Sequence, residues 1–220
     1  MAKTLNQRLF ARCWQQVATV AACCLLITIR AQALDYTPIS LECMLATADA
    51  IVVAKLPTST ESSDYSVQVT AILHGDDLLP GVLQVKESAP WRGTAPRFTS
   101  TEALFFLQHT KAGQWEVSGP SGEGRVPLEE QHVDLTAISL PLPETNNRYS
   151  RDLLLDALEM ASHCFSFQRH DKTVMPTNHC RITEQEKIMT RSALHRSLFE
   201  RLNNAAEQGG LNCSLLETGR

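Results

Sequence analysis

Hydrophobic residues follow three different rhythms along this chain. Val17 to Ile29 is an almost unbroken apolar run. From Ile51 to about Leu140 the rhythm is that of strands. Ile51-Val52-Val53-Ala54 is short and rich in β-branched residues, as a buried strand is. Tyr65, Val67, Val69, Ala71 and Leu73 alternate with polar partners, the period of a half-buried strand. Val82 to Val85 follows a turn at Leu79-Pro80-Gly81, and Ala103 to Leu107 reads as a central strand. Trp115 to Val117 comes after Lys111-Ala112-Gly113, which has the chemistry of a hairpin turn. Gly119, Gly122 and Gly124 mark another turn before Arg125 to Leu128. Short strands with frequent turns predict a small closed barrel or sandwich.

Helical periods flank these strands. Ile39 to Ala50 predicts a helix with Ser40 as N-cap and Leu41, Met44, Leu45 and Ala48 on one face. Pro141-Leu142-Pro143 and Thr145-Asn146-Asn147 form a linker over 141–148. Ser150 can then cap a helix carrying Leu153, Leu154, Ala157, Leu158 and Ala161. A loop rich in His and Cys follows, to Arg181. Thr183 and Glu186 form a capping box, opening one helix with Ile188, Ala193, Leu194, Leu198, Phe199 and Leu202, which Gly209-Gly210 can end. The predicted class is α+β: an antiparallel β-barrel domain with an N-terminal helix over 34–140, then a helical, disulfide-stapled segment over 149–220.

The first apolar run changes where this chain is expected to reside. Lys3, Arg8 and Arg12 precede it, no acid occurs before Asp35, and Ala31-Gln32-Ala33 supplies the small residues of a cleavage site. Residues 1–33 therefore read as a secretory signal. Thirteen apolar residues closed by Arg30 fall short of the ~20 that span a bilayer. A lipoprotein anchored through Cys23, in Val20-Ala21-Ala22-Cys23, is the alternative, although the residues after Cys23 stay apolar. The expected mature chain is periplasmic or secreted and has no transmembrane span.

Charge narrows the partners. Of 220 residues, 20 are Lys or Arg and 24 are Asp or Glu, a net charge of −4. Residues 34–144 hold 6 basic and 15 acidic residues, against 10 and 9 in residues 145–220. An acidic chain lacks the basic face that a general nucleic-acid binder needs. No nucleic acid is expected as a partner; another envelope or extracellular protein is.

The order of elements over residues 39–128 carries a resemblance. A helix Ser40 to Ala50 precedes Ile51-Val52-Val53-Ala54, then Tyr65 to Asp76, Leu79 to Val85, Ala103 to Leu107 and Trp115 to Arg125 with its glycines. This resembles poorly characterised bacterial exported proteins with an OB-like barrel. It is similar, more distantly, to netrin modules and tissue inhibitors of metalloproteinases. The resemblance implies an OB-like fold. Inhibitors of that type place a cysteine at the mature N-terminus to reach the target's zinc. Here the first cysteine after Leu34 is Cys43, inside the predicted helix, so protease inhibition is not implied.

Four cysteines follow the leader: Cys43, Cys164, Cys180 and Cys213. An even number in an exported chain points to disulfides, with three possible pairings. A Cys164–Cys180 bridge would staple the His/Cys loop and leave Cys43 and Cys213 to each other; it would contribute about 3 kcal/mol. The competing reading uses His163, Cys164, His179 and Cys180 as imidazole and thiolate groups, either as zinc ligands or in a thiol enzyme. Their spacing does not match a Cys-x-x-Cys knuckle. No cofactor is expected, and no catalytic set stands out.

Three further segments carry weaker signals. Ser118 to Gly124 is rich in glycine but lacks the Lys-Ser/Thr of a phosphate loop, and reads as a hairpin turn. His74-Gly75-Asp76-Asp77 lacks calcium-loop spacing and reads as a solvated turn. Ser88 to Phe98 places Trp91, Arg92, Arg97 and Phe98, residue types common at binding hot spots, between two strands of an acidic domain. Two readings stand: a binding loop on the barrel, or a plug in which Trp91 and Phe98 fold back into one barrel end, which their apolar rings favour. Arg191, Arg196 and Arg201 read as a solvated face balanced by Glu184, Glu186 and Glu200. The leading expectation is thus an exported, non-enzymatic binding or accessory module.

Overall fold

A computed structural model of the chain describes residues 39–60, 62–75, 78–87, 98–119, 122–135, 138–139, 148–170 and 172–213. The expected leader with Cys23, Asp76 and Asp77, and the segment 88–97 with Trp91, Arg92 and Arg97 lie outside the described residues. The elements run β1 (Ile39–Ser40), α1 (Leu41–Thr47), β2 (Ala50–Lys55), β3 (Asp64–His74), β4 (Gly81–Lys86), β5 (Glu102–His109), β6 (Trp115–Val117), β7 (Arg125–Leu128), β8 (His132–Asp134), β9 (Ile138–Ser139) and β10 (Arg148–Ser150). Then come α2 (Arg151–Cys164), β11 (Phe165–His170), β12 (Thr173–Asn178), α3 (Ile182–Thr190), α4 (Ala193–Gln208) and β13 (Leu211–Asn212).

The class is α+β, with a closed five-strand mixed barrel and four helices among the described residues. Strand β2 pairs with β3 and β5, β3 with β4, β4 with β6, and β6 returns to β5. The expected all-antiparallel barrel is corrected here, because β4 and β6 run parallel. Parity explains it. Directions cannot alternate around a ring with an odd number of strands, so at least one neighbouring pair must run parallel.

Strand β2 is buried from Ala50 to Ala54 because both its faces are covered. Ala50, Val52 and Ala54 join Val67, Val69, Phe105 and Leu107 inside the barrel. Ile51 and Val53 face outward with Leu104 and Phe106, into a second cluster shared with Leu154, Leu158, Leu198 and Leu202 of α2 and α4. A continuous apolar run is what a strand between two apolar layers requires. Strand β3 keeps its alternation only to Val69. Its register against β2 shifts between Val53 and Ala54, so Ala71 is exposed rather than inward, and Ile72 packs on the barrel interior instead. A bulge changes which face later residues occupy.

Helix α1 is shorter than expected. Ser40 caps it, its Oγ accepting the Cys43 N–H at 3.2 Å, but Ala48 is extended and Ala50 already belongs to β2. Helix α2 buries Leu154, Ala157, Leu158 and Ala161, as its period requires. The expected His/Cys loop is corrected to an antiparallel hairpin, β11 against β12. Strand β13 reaches only Thr173 and Val174. Pro176 therefore sits where β12 has a free edge, which a residue without an N–H tolerates.

The single helix expected from Thr183 is two. Arg191 is extended, and Ser192 caps α4 by accepting the His195 N–H at 3.4 Å. The cap of α3 also lies earlier than expected. Glu184, not Glu186, closes it, accepting the Arg181 N–H at 3.1 Å, and Thr183 lies within the helix. The basic face is partnered differently too: Arg191 meets Asp156 at 3.1 Å, and Arg201 meets the buried Glu42 at 3.2 Å. Two disulfides, Cys43–Cys213 and Cys164–Cys180, are present. No helix among the described residues is long and apolar enough to cross a membrane.

Candidate functional site

The segment 88–97 is bounded by Glu87 and Phe98, and both stand on one cluster at the barrel end. Glu87 follows β4 two residues after Val85, so it keeps the inward phase and is only 2% exposed. Tyr65, inward on β3, donates its hydroxyl to Glu87 Oε2 at 2.5 Å. Arg125, the first residue of β7, donates Nε to Oε2 at 2.9 Å and Nη2 to Oε1 at 3.1 Å. Phe98 packs edge-on to Tyr65 with centroids 5.2 Å apart, and the Arg125 guanidinium lies 5.2 Å from the Phe98 ring. Such a cation–π contact adds to an arginine already held in plane by a carboxylate.

Burial raises the Tyr65 phenol far above its ordinary range, and the Glu87 charge and hydrogen bond raise it further. Burial disfavours the charge on Arg125, but the Glu87 hydrogen bond and charge outweigh it and raise the guanidinium. The phenol therefore stays neutral and the guanidinium charged at physiological pH.

The glycine-rich segment supports it from below. Phe106 donates its N–H to the Gly124 carbonyl at 2.8 Å and accepts the Ser118 N–H at 2.9 Å. Strands β6 and β7 thereby share one edge of β5, β6 at Leu107 to His109 and β7 at Glu102 to Phe105. This corrects the expected hairpin turn: the two flanking strands do not pair with each other. A Cβ on Gly124 would lie 2.7 to 2.9 Å from backbone atoms of Ser118 and Phe106. One on Gly122, at φ +74°, would meet Glu87 Oε1 at 2.5 Å. Both positions require glycine.

The His/Cys candidates separate. Cys164 and Cys180 are bonded to each other, so neither offers a thiolate in this state. With His163, Glu184, Lys187 and Arg191 they line a cleft of about 630 Å³ beside α2 and α3. His179 does not line it; its Nε2 pairs with Ser166 Oγ at 2.6 Å. Among the described residues no group of three or more His, Cys, Asp or Glu side chains converges to hold a metal ion.

One arrangement was not anticipated, although the spacing Ser192-x-x-His195 signals it. Ser192 Oγ lies 2.8 Å from His195 Nδ1, and His195 Nε2 lies 2.9 Å from Asp156 Oδ2. The residue types match a nucleophile relay. Their burial is inverted, because the His195 side chain is 2% exposed and that of Asp156 is 55% exposed. Ser192 Oγ is also occupied as the cap of α4. The chain of bonds docks α4 on α2.

The chain matches no protein-family model, no curated protein and no solved structure.

Proposed function

We propose that this chain is an exported, non-enzymatic binding module with an OB-like barrel, and that Trp91, Arg92 and Arg97 carry partner contact from a segment whose end, Phe98, packs on the barrel cluster. The observation that carries the reading is the Tyr65–Glu87–Arg125 cluster, which pins both flanks of the segment bearing those residues. A binding loop gains from fixed roots, because less freedom is lost when a partner engages it. The ring order β2-β3-β4-β6-β5 with its one parallel pair supports the OB-like label, a five-stranded Greek-key barrel. Two disulfides support export, since such bonds persist in oxidising compartments. The partner is another envelope or extracellular protein.

The test is co-purification from the envelope fraction of the producing cell. Trp91→Ala is expected to lose the retained partner while the melting temperature holds. Equal retention by the variant removes the segment from the site. A fall of several degrees in Tm instead assigns Trp91 to the barrel core.

A further inference from the structure

Away from the barrel, α3 and α4 enclose an open groove of about 500 Å³. Its apolar lining is Ile182, Met189 and Phe199. Ile182 is 75% exposed and Met189 40% exposed, two of the few large apolar side chains left in water among the described residues. Phe199 is buried and forms the floor. The rest of the lining is the amides Gln185, Asn203 and Asn204 and two exposed carboxylates, Glu186 and Glu200; no lysine or arginine lines it.

We propose that this groove docks an amphipathic helix of a partner protein, with aliphatic side chains on one face and lysine or arginine beside them. The walls are two helices, so the geometry suits a helix laid in a groove rather than an added strand. Methionine adapts its shape to an incoming side chain, which favours Met189 as the contact that reshapes. The two rim carboxylates choose the sign of the partner's flanking charge, since like charges there would repel. This surface is distinct from the segment 88–97 and stands whether or not that segment binds.

A fluorescein-labelled helical peptide of leucine and lysine, with a leucine and glutamate peptide of the same pattern as control, tests it by anisotropy on the intact disulfide-bonded protein. The lysine peptide is expected to bind at least about tenfold tighter than the glutamate peptide. The double variant Ile182→Ser/Met189→Ser should lose about tenfold in affinity for it. Glu186→Lys/Glu200→Lys should reverse the preference. All four positions are exposed, so Tm should hold in each variant. Absence of binding overturns the proposal. So does unchanged binding by both variants, which would place the peptide elsewhere on the acidic barrel. A dimer that Ile182→Ser/Met189→Ser splits would also overturn it, by making a second copy the occupant.

Discussion

Two acid-centred clusters in this protein have nearly the same distances and different surroundings. Glu87 holds Arg125 at 2.9 Å with the carboxylate 2% exposed and the arginine 12% exposed. Asp156 holds Arg191 at 3.1 Å with the carboxylate 55% exposed and the arginine 46% exposed. At Asp156, water replaces any partner that leaves. At Glu87 it cannot, so each missing donor strands a charge. Distance alone does not rank the two; access to solvent does.

Arg125→Met is the strongest way to break that contrast. It leaves Glu87 charged and buried with only Tyr65, and should cost about 3–5 kcal/mol in a urea titration. Adding Glu87→Leu should recover much of the loss, because the stranded charge goes with it. A loss under about 1 kcal/mol for the single variant would make the two clusters equivalent.

Tyr65→Phe comes next. It removes one hydrogen bond to a buried carboxylate and should cost about 1.5–3 kcal/mol. Its pH dependence sharpens the point. The unfolded chain ionises this tyrosine near its ordinary 10.0, while the folded chain holds it neutral above that. A raised folded pKa means stability present below about pH 10 and lost as pH rises further. Wild-type Tm should therefore fall more steeply than that of Tyr65→Phe between about pH 9 and about pH 11. Parallel curves would show that the phenol is not held.

The smallest effect belongs to the exposed pair. Arg191→Ala should change stability by less than about 1 kcal/mol, and added salt should erase what remains. A larger, salt-resistant loss would mean that Arg191 supports the buried His195 through Asp156.

Local signals in the sequence were readable where one element contains both partners. Ser40 caps α1 on Cys43, three residues away, and Tyr65, Val67 and Val69 alternate within one strand. The α+β class followed from such patterns. The break at Arg191 and Ser192 was harder to see, because the apolar period runs on through Leu194 and Leu198 and only the Ser192 cap divides it. The β11–β12 hairpin hid behind Pro176 and a run of polar residues. Tyr65 and Arg125 come from two strands and Glu87 from the residue after a third, 22 and 38 residues apart. No local period can unite them. The one available hint was an acid two residues beyond Val85, in the inward phase of its strand.

The order of the cysteines has a consequence for biogenesis. The pairing is nested: Cys43 joins Cys213, 170 residues on, and encloses the 164–180 bridge. A chain threaded N-terminus first into an oxidising compartment presents Cys43 and then Cys164 before either native partner of Cys43 or Cys164 has emerged. Pairing by order of arrival gives Cys43–Cys164, a wrong bond that thiolate attack must undo. If the chain is exported as proposed, pairing by order of arrival makes its maturation depend on disulfide isomerisation as well as oxidation. Cells lacking an isomerase should accumulate the mispaired form, even with their oxidant intact.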